Sequence, residues 1–325
     1  SGDGGTAINV TAGTGVTTVD AVESGDTITL DAELLKDDVD DIDNTSGGDT
    51  TEVIALGEGT VDVDNLESDL DASGLSGDLF VEINRIDGSD IDDVDITLGA
   101  NGGSLQHTND AGSVFVDATS TASGSEVDVL GGDETSMKIV GIGTGVTVDG
   151  RNDVTEGSYL GGLDITTADG ATDVDVLTGT DSLTVRSDSG GSVEVFSDDL
   201  VAGQTLSLSG DSTFDVENIG ASDIDAAATS GTVNVTTLGI SGDGTAEAMK
   251  ITAGTGTLSV SGDDAISGNT VDEDIEIDAD ALADGDDGAD LVLTGDAEYF
   301  VTNDVVADRS GDEVTIDASG LDASG

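Results

Sequence analysis

The chain has 325 residues, with 71 acidic side chains against 7 Lys plus Arg, a formal net charge of -64, 48 glycines, and no proline, cysteine or tryptophan. So few basic residues exclude nucleic acid and anionic membrane surfaces as partners, and the absence of cysteine excludes thiol chemistry and Cys-ligated zinc. No run of about 18 apolar residues is present to cross a bilayer, so membrane insertion is not expected.

High charge with 2% aromatics would by itself describe a chain too poor in apolar bulk to fold. The pattern argues otherwise. Hydrophobic residues still make up 35%, mostly Val, Ile, Leu and Ala in short alternating runs. Val, Ile and Thr suit the pleated surface of a strand, so a thin aliphatic core is expected.

In chain order, residues 1–15 (SGDGGTAINVTAGTG) hold a short strand pattern that closes on Gly13-Thr-Gly15. That tripeptide resembles part of a phosphate loop but opens no helix, and it reads as a turn, as does Gly143-Thr-Gly145. Thr27 and Thr29 have the Thr-x-Thr spacing of ice-binding rows, which does not persist. Asp31–Lys36 is one of two helical candidates, each a turn or two long; the other is Asp278–Ala283. The first dense acidic cluster follows: Asp37, Asp38, Asp40, Asp41 and Asp43.

Residues 53–66 (VIALGEGTVDVDNL) introduce a phrase that recurs at 137–150, 206–219 and 291–304. Residues 69–81 (DLDASGLSGDLFV) introduce another, which recurs at 223–235 and 315–325. A second acidic cluster, Asp87, Asp90, Asp92, Asp93 and Asp95, precedes an echo of the opening phrase at 94–105. His107 falls in a Gly/Asn/Asp stretch and reads as an exposed turn residue rather than a catalyst. Further echoes at 174–183 and 241–256 give spacings of 86, 79 and 76 residues from Thr11 through Thr97 and Val176 to Thr252. A third acidic cluster, Asp284, Asp286, Asp287 and Asp290, lies near the end. The chain thus reads as one continuous repetitive β domain, with approximate units 1–93, 94–171, 172–240 and 241–325.

Strict alternation marks TVDVDNL (60–66), DVDVL (173–177), TLSLSG (205–210) and DIEIDAD (274–280) as half-buried strands. Gly, Asp, Asn and Ser clusters between them read as turns. The fold expected is all-β: a β-solenoid, either a parallel β-helix or β-roll-like, with tandem small β-sandwiches as the alternative. Phe80, Phe115, Phe196, Phe214 and Phe300 sit inside strand patterns and read as core.

Stacking coils would place Val61 and Val63 inward and Asp62 and Asp64 outward. Neighbouring strands would then bring carboxylates close together, which destabilises a sheet pair. Bound cations would offset that repulsion. Calcium suits the donors, since it takes six to eight hard oxygens in flexible geometry. Asp accounts for 55 of the acidic residues, and the three clusters are the candidate ligands, although none has the Gly and Glu positions of an EF-hand loop.

The phrases GGDETSMKI (131–139), LTGTDSLTV (177–185) and LTGDAEYFV (293–301) resemble the glycine-aspartate nonapeptide of calcium-binding β-rolls. DLDASGLSGDLFV resembles repeats of bacterial surface-layer proteins and giant secreted adhesins. The resemblance implies secretion to the cell surface, calcium-dependent folding and lattice or filament assembly. By family position it also implies that Asp133, Asp181 and Asp296 are calcium ligands, but most of the consensus glycines are missing.

The function expected is therefore that of an extracellular structural protein that self-assembles into a surface layer or filament. The alternative is an adhesin stalk or a repeat segment of a giant secreted protein. Partners expected are other copies of the chain, laterally or head to tail since neither end reads as capped, and a cell-surface polysaccharide. No enzyme is expected: acidic pairs occur everywhere, but there is no G-x-S-x-G elbow and no aromatic sugar platform. A polysaccharide-active β-helix enzyme is the remote alternative.

Overall fold

The computed structural model describes residues 7–11, 17–21, 27–31, 52–66, 69–83, 94–107, 112–131, 135–150, 162–177, 182–188, 190–197, 200, 204–218, 222–238, 249–263, 274–282, 291–295, 298–302 and 316–321. They form strands and turns, with no helix among them.

The chain divides into two compact units, Ser1–Ala168 and Asp169–Gly325. The first holds β1 (Ala7–Thr11), β2 (Thr17–Ala21), β3 (Thr27–Asp31), β4 (Glu52–Gly57), β5 (Thr60–Leu66), β6 (Asp69–Leu75), β7 (Leu79–Ile83), β8 (Val94–Thr97), β9 (Gly102–His107), β10 (Gly112–Asp117), β11 (Glu126–Leu130), β12 (Thr135–Ile142), β13 (Thr147–Asp149) and β14 (Gly162–Thr167). The second holds β15 (Val174–Leu177), β16 (Ser182–Ser187), β17 (Ser192–Phe196), β18 (Thr205–Gly210), β19 (Thr213–Asn218), β20 (Asp223–Thr229), β21 (Val233–Leu238), β22 (Met249–Thr252), β23 (Leu258–Asp263), β24 (Asp274–Asp278), β25 (Leu291–Gly295), β26 (Glu298–Thr302) and β27 (Ile316–Leu321).

In each unit the odd-numbered strands form one sheet, A, and the even-numbered strands a second, B, in sequence order. Within a unit, strands two apart in sequence pair in parallel, so two consecutive strands complete one coil. Each unit is a parallel β-solenoid, and the parallel ladders rule out the tandem sandwiches, whose strands would run antiparallel. Coil length varies: Val61 lies beside Leu79, 18 positions later, whereas Thr27 lies beside Thr60, 33 positions later.

Alternation explains the packing. In sheet B of the first unit, Val53, Leu70, Ile96, Val116, Ile139 and Ile165 stand in one register column, all buried. In sheet A of the second unit, Val174, Val193, Phe214, Val233, Leu258 and Leu291 do the same. Burying one such side chain contributes about 1.5–3 kcal/mol, so stacked columns make up for the lack of aromatics. Val61, Val63, Val174, Val176, Ile275 and Ile277 all point inward as the alternation requires.

Two recurring phrases have structural reasons. The fifth residue of the 53–66 phrase and its copies is Gly57, Gly141, Gly210 or Gly295, and each has a positive φ. At Gly210 and Gly295 an added Cβ would also strike a carbonyl of the preceding coil, that of Ser187 or Gly262. The 69–81 phrase carries a bulge in all three copies, where an Asp-Ala-X step opposes one residue fewer on the neighbouring strand. In each, the Asp accepts the N–H two residues on: Ser73 to Asp71 at 2.9 Å, Ala227 to Asp225 at 3.0 Å, Ser319 to Asp317 at 2.9 Å. Asp117-Ala118-Thr119 and Asp278-Ala279-Asp280 repeat the bond. These carboxylates shape the corners.

Three expectations need correction. His107 is buried, at 4% exposure, because Leu105 and His107 occupy inward positions of β9; the polar composition of its surroundings had suggested a turn. Among the phenylalanines only Phe214 is fully buried. Phe80 and Phe300 are exposed and Phe115 and Phe196 half-buried, since strand parity points them outward. The helical candidate at 278–283 is the end of β24 followed by a turn, in which the Leu282 N–H donates to the Ala279 carbonyl at 3.2 Å.

Candidate metal centre

The strongest convergence of carboxylates among the described residues comes from two neighbouring coils of the first unit. In β11 (EVDVL), Val127 and Val129 are buried, which turns Glu126 and Asp128 to the outer face of sheet A. In β13 (TVD), Val148 is buried and Asp149 faces outward. The parallel register sets Asp128 directly beside Asp149, with Glu126 two residues earlier on the same face. One carboxylate oxygen from each of the three residues lies within 4.8 Å of the other two.

The electrostatics follow from that geometry. The Asp128 carboxyl is pushed up to about 6, first because partial burial removes water, then because the charges of Glu126 and Asp149 oppose its ionisation. On the other flank of β11 stand the uncharged Ser104 and Gly102, beside Asp128 and Glu126 respectively. Three carboxylates with no His or Cys form a hard-oxygen set. Such a set fits calcium, with water completing the coordination, better than zinc or copper. Magnesium, which keeps its waters and demands octahedral geometry, fits less well.

Elsewhere the acidic residues meet other groups. Asp95 is half-buried on β8, and its N–H donates to Asp69 Oδ1 at 3.0 Å. Lys138 pairs with Asp164 at 3.9 Å and Arg186 with Asp188 at 2.7 Å. Bonds from Ser319, from its hydroxyl and then its amide, hold the Asp317 carboxyl below the ordinary range.

Of the residues expected from sequence, Asp37, Asp38, Asp40, Asp41, Asp43, Asp87, Asp90, Asp92, Asp93, Asp133, Asp181, Asp284, Asp286, Asp287, Asp290 and Asp296 lie outside the described residues. Asp95 is described but does not join the trio. Sequence reading missed the trio because it sought acidic residues dense along the chain. Asp128 and Asp149 are 21 positions apart, and only the coil register joins them. The signal was present as two valine-acid alternations one coil apart. No protein-family model, curated protein or solved structure matches this chain.

Proposed function

We propose that this chain is an extracellular structural protein, a repetitive β-solenoid that works by assembling with other copies and is stabilised by calcium on its acidic outer faces. One observation carries the reading: the register of stacked coils places Glu126, Asp128 and Asp149 together with no basic side chain beside them on either flanking strand. Like charges held in this way oppose the fold, and a divalent cation removes the opposition.

Thermal unfolding followed by circular dichroism tests the calcium dependence. At low ionic strength the melting temperature rises in millimolar calcium and falls in excess chelator. The same β signal and midpoint under both conditions would refute it. Light scattering with and without calcium tests assembly, since a subunit of a layer or filament grows in mass while a stalk does not.

A further inference from the structure

Four large apolar side chains are exposed among the described residues: Phe80, Phe300, Ile316 and Leu321. Phe300 lies on β26, and Ile316 and Leu321 on β27; these are the outermost described strands of their sheets, with a neighbour on one flank only. Phe80 is different. Its strand, β7, is flanked by both β5 and β9, yet its ring is 47% exposed on the outer face of sheet A.

Register places Phe80 between Asp62 on β5 and Ser104 on β9. Glu82, two residues on, faces the same way, and Asp64 follows Asp62 at the same spacing. This face of the first unit carries no Lys or Arg among the described residues. The described basic residues of the molecule, Lys138, Arg186 and Lys250, all lie on strands of sheet B.

We propose that the outer face of sheet A in the first unit docks a basic protein segment, with an arginine seated over Phe80 and neighbouring cationic side chains on Asp62, Asp64 and Glu82. A guanidinium is planar and weakly hydrated, so it stacks on an aromatic face while carboxylates beside the ring receive its N–H groups. A purely apolar partner would take the charges of Asp64 and Glu82 out of water without supplying opposite charge. A second copy would meet this face with charge of the same sign. Residues i and i+2 of a strand stand about 6.6–6.8 Å apart, so Phe80 with Glu82 matches alternate side chains of an extended peptide, and Asp64 stands at the point where the β5 ladder shifts register after Val63.

The test uses the full chain and labelled ten-residue peptides of alternating Arg and Thr, Lys and Thr, or Glu and Thr, followed by fluorescence anisotropy. At low salt the arginine peptide binds, the lysine peptide binds more weakly and the glutamate peptide does not bind; high salt weakens all binding. Phe80→Ala lowers arginine-peptide affinity about five- to tenfold, and Phe80→Leu, which keeps apolar bulk without a ring, lowers it similarly. Asp62→Asn with Glu82→Gln weakens both cationic peptides. The sheet B pair Asp164→Asn with Glu276→Gln removes the same charge and leaves affinity within about twofold. Melting temperatures confirm that each variant is folded. The proposal is overturned by no arginine-peptide binding at low salt, by unchanged affinity in both Phe80 variants, or by an equal loss from the sheet B pair, which would mean diffuse attraction to a polyanion.

Discussion

Sheet A carries an acidic column in each unit, and the two columns are resolved differently. In the second unit, Glu194 on β17, Asp215 on β19 and Asn234 on β21 stand in register, and the Asn234 amide donates from Nδ2 to Asp215 Oδ1 at 2.7 Å. In the first unit, Asp128 meets Asp149 in the same relation, with Glu126 beside them, and no amide is interposed. The backbone arrangement is shared; at the pair compared, Asp215 meets an amide and Asp128 a carboxylate. An amide turns a repulsive neighbour into a hydrogen-bond donor, whereas a carboxylate leaves the repulsion for a proton or a metal ion to relieve.

Exchanging these roles should exchange the behaviour. The largest effect is expected from Asn234→Asp, which deletes the bond to Asp215 and extends the row Asp175, Glu194, Asp215 to four carboxylates. It should cost about 1–2 kcal/mol at low salt, measured by denaturant unfolding, with hydrogen exchange quickening first at the β21 amides. A smaller effect of opposite sign is expected from Asp149→Asn, which gives the first unit the arrangement of the second. It should stabilise the calcium-free chain by about 0.5–1 kcal/mol and shrink the rise in melting temperature on adding calcium. An unchanged calcium response in this variant would move the metal reading away from the trio.

The smallest effect lies in pH. Asp128 has its folded value raised from 3.8 to about 6, so the fold binds a proton more tightly than the unfolded chain does. Its contribution to stability is complete below pH 3.8 and is lost as pH rises through about 6. Melting temperature should therefore climb as pH falls across that window. Because general self-repulsion also weakens on acidification, the informative measurement is the difference in slope from Asp128→Asn, which should be flatter.

Strand content was legible because alternation is local: TVDVDNL and TLSLSG are β5 and β18 to the residue. The sheet to which a strand belongs was not. The 53–66 phrase opens on sheet B at β4, while its copy at 291–304 opens on sheet A at β25. Both corners of a coil join a strand of one sheet to a strand of the other, so the same strand–turn–strand phrase serves either. Phe80 illustrates a different failure. Parity with Leu79, Val81 and Ile83 already pointed it outward, but its hydrophobic character outweighed parity in the reading. The trio was out of reach of the sequence for want of register, which depends on every intervening corner length and cannot be counted from one cluster.

The spread of coil lengths, from 17 positions between Glu52 and Asp69 to 36 between Thr17 and Val53, has a consequence for how such a chain can change. Insertions and deletions that fall at corners leave the ladders intact, while a single-residue slip inside a strand would turn its valines to solvent. Length polymorphism is therefore channelled to the rim, and the sequence period can drift until it is barely recognisable while every rung of the ladder stays in place. The corners that tolerate this drift are also where foreign peptides could be spliced for display with least harm to the stack.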